Sequence, residues 1–556
     1  MTTLEGDTMK AEPVTITSRN PFVGISMLIL TILSVIGPPS QAALTYFGSV
    51  TDLDGNPWPG SGHVAVGYAA DGSMYLDGST SIVLYDTYIA YGEGVDGSFA
   101  MSGSGCSLEF TANLLVGNGI NSSGRVTFRN GARMIQPTYQ NHHIILGLGV
   151  GSSGEMVLTG YGTKIRLSDN LYCGHLTGAK GWMEVKDGAV WESAGIHIGY
   201  QADAEGEVVV KGSGSILRQW TNGRAEIGRS GHGSLIVKDG ALADLRDLRV
   251  ADVESSYGEV LVTGAGSRLE NHYSATQFAR GASGVPDPEP ATAIIRLARG
   301  GVLYTHSDLY VGGTATSSTG TLVFTIGNNG SGSIVPGHAE VDGVLNLYLS
   351  HLQMEVDPGV ALTLGQQFTL IDYQSFNSSY TFENVSEGGV ILTPNHYAFR
   401  INYATDLGSG DLAITATVVA PPVADGDGDE LLDAWEILCF GSTNNPIGDP
   451  DLDPDGDGRN NICEHVAGTD PLDPEAYCFI GMSDVPANTP WELFYTPYEA
   501  AVTYDIERAA ELTTTNPASP WNPVIPVSNT VSGSEILFTI PGSSSDNAFY
   551  RVRISR

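Results

Sequence analysis

Residues 196–215 read IHIGYQADAEGEVVVKGSGS, and the same pattern recurs in residues 114–133 (LLVGNGINSSGRVTFRNGAR), 171–190 (LYCGHLTGAKGWMEVKDGAV) and 225–242 (AEIGRSGHGSLIVKDGAL). Each unit is an apolar strand that ends at a Gly, a polar turn, another Gly, an alternating strand, a Gly turn and a third short strand. Glycines lie 25 residues apart in two series: Gly67, Gly92 and Gly117, then Gly149, Gly174 and Gly199. A fixed period of this length is typical of a solenoid, in which each repeat packs against its neighbours.

The alternating strand predicts which side chains face inward. In residues 125–129 (RVTFR), Val126 and Phe128 face inward while Thr127 faces solvent. The same two positions are apolar in five further units: Met156 and Leu158, Met183 and Val185, Val208 and Val210, Leu235 and Val237, Val260 and Val262. Stacked units would bury a continuous apolar ladder that no single unit could bury alone. We therefore expect an all-β fold in which residues 43–328 form a parallel β-helix, or β-solenoid, of coils of about 25 residues. A β-sandwich with irregular hairpins is the alternative.

These units resemble the strand repeats in the passenger regions of bacterial autotransporters and in related secreted proteins. The resemblance covers about residues 44–418. Its later part looks like the closing segment of such passengers, with the motifs GQQFTLI (365–371), FENV (382–385), FRINY (399–403) and LAIT (412–415). The resemblance implies a solenoid closed by residues 329–420 in a secreted or cell-surface protein. It is weak evidence for any activity, because one fold hosts many functions.

The composition favours short strands, tight turns and cations as partners. The 556 residues include 70 glycines and only 16% charged residues, and 62 acidic against 26 basic side chains give a formal net charge of −36. Glycine is poor in helix interiors and suits tight turns. Nucleic acid is not expected as a partner, because phosphate binding rests on Lys and Arg. Much of the negative charge is local, since residues 425–475 hold fifteen carboxylates and one Arg.

Residues 453–464 (DPDGDGRNNICE) match the twelve-residue calcium-loop pattern. Carboxylates at alternating positions converge on one point, Gly458 permits the sharp turn, and Glu464 closes the loop with both oxygens. The predicted ligands are Asp453, Asp455, Asp457, the backbone carbonyl of Arg459, Asn461 and Glu464.

Residues 425–436 (DGDGDELLDAWE) repeat this spacing. The predicted ligands are Asp425, Asp427, Asp429, the backbone carbonyl of Leu431, Asp433 and Glu436. Glu430 occupies the glycine position, so we expect this loop to be more strained and to bind more weakly. A short helix-like stretch follows in each case, at residues 431–440 and 462–467. A solvated acidic linker is the alternative interpretation.

The acidic segment, residues 421–478, resembles the paired calcium loops of thrombospondin type 3 repeats and dockerin-like modules. The motif GTDP at 468–471 is similar to the end of such units, and the resemblance makes Asp470 a further ligand. Each loop lacks a full pair of flanking helices, so we expect EF-hand-like loops that rigidify a junction rather than a sensor that opens. Calcium is the expected cofactor, and its binding would be coupled to folding of the segment.

The two ends of the chain carry signals of their own. Lys10 and Arg19 precede the apolar run 22–36, which is followed by Gly37-Pro38-Pro39 and Ser40-Gln41-Ala42. This order predicts a signal peptide over residues 1–42, hence an exported protein, extracellular or on the outer cell surface, with no membrane span in the mature chain. Alternating runs such as WELFY (491–495) and ILFTI (536–540) predict a small antiparallel, β-sandwich-like domain over residues 479–556.

We therefore expect a non-catalytic structural or adhesive protein with a calcium-stabilised junction, and surface polysaccharide or other envelope components as partners. A carbohydrate-binding adhesin is one alternative, for which exposed aromatics along one face would be expected: Tyr161, Trp191 and Trp220. A β-helix polysaccharide lyase or glycosidase is the other, for which these residues could be recruited: Asp169, His175, Glu184, His197 and His232. They occupy turns or outward strand positions, where solvated polar residues are expected anyway, so no catalytic residue is predicted.

Overall fold

The computed structural model describes residues 44–78, 81–136, 142–221, 223–253, 255–280, 290–313, 318–395, 397–406, 412–420, 425–467, 469–474, 479–482, 491–496, 503–509, 522–524, 528–532, 535–540 and 549–555. The predicted signal peptide, residues 1–42, lies outside them. The larger part of the described chain is a parallel β-solenoid of about 11 turns. The all-β architecture and the solenoid predicted from the repeats are thus confirmed.

The N-terminal coils contain eight strands: β1 (Leu44–Gly48), β2 (Val50–Thr51), β3 (Gly62–Val66), β4 (Gly72–Asp77), β5 (Ser81–Ile89), β6 (Asp96–Ser102), β7 (Ser107–Phe110) and β8 (Leu114–Val116). The next seven coils have three strands each: β9 (Ser123–Arg129), β10 (Arg133–Ile135), β11 (Ile144–Leu146), β12 (Ser153–Thr159), β13 (Lys164–Arg166), β14 (Asn170–Cys173), β15 (Lys180–Lys186), β16 (Val190–Ser193), β17 (Gly195–Ile198), β18 (Glu205–Lys211), β19 (Ile216–Gln219), β20 (Ala225–Ile227), β21 (His232–Lys238), β22 (Leu242–Leu245), β23 (Leu248–Val250), β24 (Tyr257–Thr263), β25 (Arg268–Asn271), β26 (Thr276–Phe278), β27 (Thr292–Ala298), β28 (Val302–Thr305) and β29 (Leu309–Val311).

The closing strands are β30 (Thr319–Asn328), β31 (Ile334–Val335), β32 (His338–Leu347), β33 (Ser350–Val356), β34 (Gln367–Phe376), β35 (Val390–Leu392), β36 (Ala398–Asp406) and β37 (Leu412–Val419). Two helices follow, α1 (Asp433–Phe440) and α2 (Asn461–Ala467). The last strands are β38 (Phe479–Met482), β39 (Trp491–Thr496), β40 (Thr503–Ala509), β41 (Asn522–Val524), β42 (Ser528–Ser532), β43 (Glu535–Ile540) and β44 (Phe549–Ser555).

The three strands of a regular coil define three faces of the solenoid. The first strand of each coil, such as β9, belongs to the long-strand face; the second, such as β10, to the second face; and the third, such as β11, to the third face. Each strand pairs in parallel with its equivalent in the next coil, as β12 does with β15. Stacking of this kind satisfies the backbone hydrogen bonds between coils rather than within one coil.

The apolar ladder predicted from the repeats lies inside the long-strand face. Phe128 aligns with Leu158, and Leu158 aligns with Val185 in the next coil. All twelve side chains of the predicted inward pairs are 0% exposed. They belong to one continuous core cluster that runs through the solenoid. The hydrophobic effect therefore acts between coils, which explains why the period of the sequence determines the fold.

A column of glycines marks the second position of the long strands. Gly206 aligns with Gly181 on one side and Gly233 on the other. A Cβ atom at Gly206 would lie 2.1 Å from the carbonyl oxygen of Cys173 and 2.6 Å from the backbone nitrogen of Gly199. No side chain fits at that distance, so these glycines let the strand pass close to the corner of the neighbouring coils.

Antiparallel strands occur at both ends of the solenoid. At the N-terminal end, β1 pairs antiparallel with β4. Parallel stacking continues through β30 and β33, after which β34, β36 and β37 pair antiparallel. These pairings cover the ends of the stack, where exposed strand edges would otherwise favour association with other chains.

The remaining described residues form the two helices and two small sheets. Neither helix of the described part of the chain is long and apolar enough to span a membrane. Strands β38, β39, β43 and β42 form an antiparallel sheet, and β41, β40 and β44 form another. That these two sheets make a separate sandwich-like domain stays a prediction.

Candidate metal centres

The second predicted loop brings its three leading carboxylates together. Asp453, Asp455 and Asp457 each place a carboxylate oxygen within 4.8 Å of the other two. Backbone N–H groups hold the carboxylates in place: Gly456 donates to Asp453 Oδ1 at 2.8 Å, and Arg459 donates to Asp457 Oδ1 at 2.6 Å. Gly458 has a φ of +93°, a left-handed conformation that suits the sharp turn expected at this position.

Several oxygens of this loop are buried and have no hydrogen-bond partner. They are Asp455 Oδ2, Asp457 Oδ2, Asn461 Oδ1 and Glu464 Oε2. The residues concerned are four of the six predicted ligands. A buried oxygen that loses water without gaining a donor carries a desolvation cost, which a bound cation would offset.

Glu464 is the most enclosed carboxylate of the second loop. Its side chain lies in the first turn of α2 and is 1% exposed. Thr469 Oγ1 donates to its Oε1 at 3.1 Å, while Oε2 is left without a partner. Burial, together with the charges of Asp455 and Asp457, raises the pKa of Glu464 to about 8 despite the hydrogen bond from Thr469. The cation-free loop thus disfavours a negative charge at the position that would complete the ligand set.

The first predicted loop has the same construction. Carboxylate oxygens of Asp425, Asp427 and Asp429 lie within 4.8 Å of one another, as do those of Asp427, Asp433 and Glu436. Gly428 donates to Asp425 Oδ1 at 2.7 Å and Leu431 donates to Asp429 Oδ1 at 2.9 Å, which matches the hydrogen bonds at Asp453 and Asp457. The two loops are therefore equivalent in backbone geometry as well as in sequence spacing.

Glu436 occupies the closing position of the first loop and is also buried. Its Oε2 has no hydrogen-bond partner. Burial is the main reason that its pKa is raised to about 7, with further contributions from the charges of Asp429 and Asp427. Glu430, at the glycine position, has a φ of +78°. The backbone there is left-handed even though the residue has a Cβ, so this loop carries the strain that the sequence led us to expect.

A small apolar core joins the two loops. Leu431, Trp435 and Phe440 are buried together, and Ile462 of α2 packs against them. The rings of Trp435 and His465 lie edge to face with centroids 5.0 Å apart. The closing glutamates of both loops lie on these helices, so packing of α1 against α2 positions both candidate sites.

The prediction that Asp470 is a ligand rests on the resemblance of the GTDP motif alone. It belongs to neither carboxylate cluster among the described residues, and its Oδ1 accepts a backbone hydrogen bond from Leu472 at 3.0 Å. Sequence reasoning missed Thr469, which orients Glu464. The GTDP motif contains both residues, but the motif does not say which of them contacts the glutamate.

The donor set of each loop consists of oxygens only, which is the preference of hard cations such as Ca²⁺. Carboxylates packed this closely repel one another unless a cation or protons neutralise them. The buried and unpartnered oxygens described above fit a metal that accepts six to eight oxygen ligands at flexible geometry. Calcium would be held by the six predicted residues of each loop. One residue in each loop would act through its backbone carbonyl, Leu431 in the first loop and Arg459 in the second.

Of the five solenoid residues considered for catalysis, three lie around Tyr172 and His143, and the other two lie elsewhere. His197 and His175 lie on the third face beside Tyr172, with ring centroids 4.8 and 4.6 Å from that of Tyr172. His197 shares a buried hydrogen bond with Glu226, Nδ1 to Oε2 at 2.8 Å. Asp169 Oδ1 lies 3.6 Å from His143 Nδ1.

The other two residues lie on strands of the long-strand face. Glu184 on β15 is held between Lys186 and Lys211, with the Lys211 Nζ atom at 2.5 Å. Burial by itself would raise the pKa of Glu184, but the hydrogen bonds from the two lysines outweigh burial, so the pKa is lowered overall. His232 on β21 packs edge to face with Tyr257, with centroids 5.8 Å apart.

The three aromatics whose exposure along one face would favour carbohydrate binding do not share an exposed face, so they give that alternative no support. Trp191 is 0% exposed because it occupies an inward position of β16. The guanidinium of Arg166 covers the ring of Trp220, 4.6 Å from its centroid. Only Tyr161 of the three is open to solvent, at 92% exposed.

Comparison of the chain with protein-family models, curated proteins and solved structures finds no match. The class defined by the geometry is therefore a parallel β-solenoid followed by a segment with two carboxylate-lined loops. A solenoid of this class does not by itself determine an activity, so function has to be argued from the sites.

Proposed function

We propose that this chain is an exported, non-catalytic structural or adhesive protein of the cell surface, in which calcium stabilises the acidic segment after a β-solenoid rod. The observation that carries the calcium assignment is the set of buried oxygens without hydrogen-bond partners, above all Glu436 Oε2 and Glu464 Oε2. Calcium would neutralise these groups and replace the hydrogen bonds that they lack.

Calcium would act here as a clip for the segment. The carboxylates that lead each loop and the glutamate that closes it belong to different parts of the segment, a turn and a helix. An ion bound to both parts holds the turn against the helix, and the small core around Trp435 couples one loop to the other. Because the ion binds the folded segment, calcium stabilises that segment by mass action.

The structural or adhesive role rests on the solenoid. Its long, continuous core and its capped ends suit a stable spacer or display surface. Its three faces offer repeated rows of outward side chains, on which a surface polysaccharide or another envelope component would bind.

Calcium titration of the full chain by calorimetry tests the metal assignment. We expect two binding events, with Glu464→Gln weakening one and Glu436→Gln weakening the other by at least about tenfold, or about 1.4 kcal/mol. Asp451→Asn is the matched control, because this exposed carboxylate lies in the same segment outside both ligand patterns. Unchanged calcium binding in both glutamate variants would refute the assignment.

Limited proteolysis tests the clip. We expect chelation to increase cutting between residues 420 and 479 while the solenoid stays intact, since the segment loses the charge neutralisation that orders its loops. The same chelation on the Glu436→Gln, Glu464→Gln double variant should add little. Equal cutting with and without chelator in the unaltered chain would contradict the clip.

Carbohydrate binding on the third face is the second candidate function. The observation that favours it is the group of adjacent rings around Tyr172, which includes the partly exposed His175 and Tyr200 and the buried His197. Flat ring surfaces with polar edges suit sugar recognition. A screen against acidic and neutral polysaccharides, with binding and cleavage scored separately, should show binding that Tyr172→Ala reduces; cleavage would instead favour a lyase or glycosidase.

A further inference from the structure

The outward residues of the second face form a ladder of charges. Glu192, Arg218 and Asp244 follow one another in register on β16, β19 and β22. Arg218 lies between the two acids, 3.7 Å from Glu192 Oε1 and 2.6 Å from Asp244 Oδ2. This alternation of sign stabilises neighbouring strands, because opposite charges face each other across each pair.

The alternation ends at the next strand. Glu270 on β25 is the register partner of Asp244, so two carboxylates face each other on adjacent strands. Like charges in this arrangement destabilise a sheet unless a cation lies between them. Arg268 pairs with Glu270 Oε1, which leaves Glu270 Oε2 directed elsewhere.

His272, two residues after Glu270, supplies a nitrogen at this point. Its Nε2 lies 3.2 Å from Asp244 Oδ1 and 3.2 Å from Glu270 Oε2. Two ligands about 2.1 Å from a tetrahedral Zn²⁺ ion are about 3.4 Å apart. The His272 nitrogen and the Glu270 oxygen are therefore spaced as neighbouring ligands of one ion would be, whereas Asp244 lies beside His272 but outside the group of residues that could share the ion.

His306 completes the group from the following coil. Its ring stacks on that of His272 with centroids 4.3 Å apart and planes 20° apart. One ligand atom each of Glu270, His272 and His306 lies within 4.8 Å of the others. An imidazole binds a metal ion through a ring nitrogen that carries no proton, so each of the two rings can supply one ligand.

A further carboxylate orients His306. Its Nδ1 lies 3.4 Å from Asp342 Oδ2, and the hydroxyl of Tyr304 donates to the same oxygen at 2.7 Å. This contact leaves Nε2 of His306 for the ion. A carboxylate on the far nitrogen of a histidine is the usual support for metal-binding imidazoles.

We propose that Glu270, His272 and His306 form a binding site for a divalent transition-metal ion, with Zn²⁺ as the probe. Two imidazoles and one carboxylate favour such an ion over Ca²⁺, which prefers oxygen ligands alone. The ligands come from two successive coils, so the ion cross-links β25 and β28 at their ends. The site is independent of the calcium loops and lies on the solenoid itself.

Zn²⁺ titration of the full chain, with calcium at saturation so that the acidic loops are occupied, tests this site. We expect His272→Gln and His306→Gln each to remove one equivalent of Zn²⁺ binding. The matched control is His351→Gln, which alters a histidine 3.6 Å from a single carboxylate, Glu383, and should keep the full stoichiometry. With Co²⁺ in place of Zn²⁺, the visible absorption of a nitrogen-and-oxygen site should be lost in the same two variants.

His306 is exposed, so its replacement leaves the solenoid folded, which circular dichroism in metal-free buffer checks. Equal Zn²⁺ stoichiometry in the unaltered chain and in His306→Gln would overturn the proposal. So would a loss of the same equivalent in His351→Gln. Neither result would bear on calcium binding, which is measured separately with the glutamate variants.

Discussion

The solenoid and the acidic segment differ in what holds them together. In the solenoid, apolar side chains stack from coil to coil in one continuous core, and outward charges such as Arg218 and Asp244 alternate in sign. Among the described residues of the acidic segment, few apolar side chains are buried, and these surround Trp435. The carboxylates of this segment lie next to other carboxylates. Apolar packing therefore holds the first region together, whereas the second is the region that we propose to be stabilised by calcium.

Glycine illustrates the same difference on a smaller scale. Gly206 in the solenoid is needed for space, because backbone atoms lie where its Cβ would be. Gly458 in the acidic segment has open space around it, but its φ is +93°. One region thus uses glycine for close packing, whereas the other uses it for a turn that points carboxylates at one place.

The largest effect is expected from Phe128→Ala in the solenoid core. Phe128 lies between Met101 and Leu158 in neighbouring coils, so the substitution opens a cavity and lowers the free energy of unfolding by about 3–5 kcal/mol. Denaturant titration measures this loss, which should be the same with calcium and with chelator. A loss that appears only with chelator would show that the stability of the solenoid depends on calcium bound in the acidic segment.

The next effect is expected from Gly206→Ala. The added methyl group would meet the backbone of Cys173 and Gly199, so we expect the solenoid to lose about 1–3 kcal/mol of stability. Gly458→Ala is the comparison variant: it should leave the solenoid unchanged and weaken calcium binding, because its cost is conformational. Denaturant titration and calcium calorimetry on both variants separate the two uses of glycine. An unchanged stability of Gly206→Ala would contradict the close backbone contacts at Gly206.

A smaller gain is expected from Glu430→Gly. Glycine adopts a φ of +78° without strain, so the first loop should be stabilised by about 1 kcal/mol and bind calcium about fivefold more tightly. Glu430→Ala is the control, since it removes the same charge but keeps the Cβ. Equal affinity in the two variants would mean that charge, rather than backbone strain, limits this loop.

The smallest effect is expected on the stability of the solenoid at acidic pH. Burial, with smaller contributions from His143 and His197, lowers the pKa of His175 from 6.5 to about 4. The unfolded chain therefore binds a proton in this pH window that the folded chain does not, so stability falls as the pH falls from 6.5 towards 4. Because the side chain is only half-buried, the loss should stay under about 1 kcal/mol. His175→Phe should reduce the difference between denaturation midpoints at pH 7 and pH 5, and His351→Phe should not.

The repeat allowed much of the solenoid to be predicted. The inward pairs, such as Val126 and Phe128, follow from alternation within a strand, and their stacking follows from the period. The burial of Trp191 could not be predicted in the same way. Its strand has four residues, too few for alternation to show which side faces the core, and only the register with Ile165 and Leu217 decides it.

The same distinction between what the sequence predicts and what the tertiary structure decides applies to the candidate sites. The sequence by itself determined the spacing of the carboxylates in both loops, because ligands of one loop are neighbours in the chain. The tertiary structure alone decided that Oε2 of Glu436 and Oε2 of Glu464 are buried without a hydrogen-bond donor, since this depends on how α1 and α2 pack. It also brought together His272 and His306, which are 34 residues apart. The length of a coil, rather than any local motif, makes them neighbours, and contacts between coils are a property of the stack.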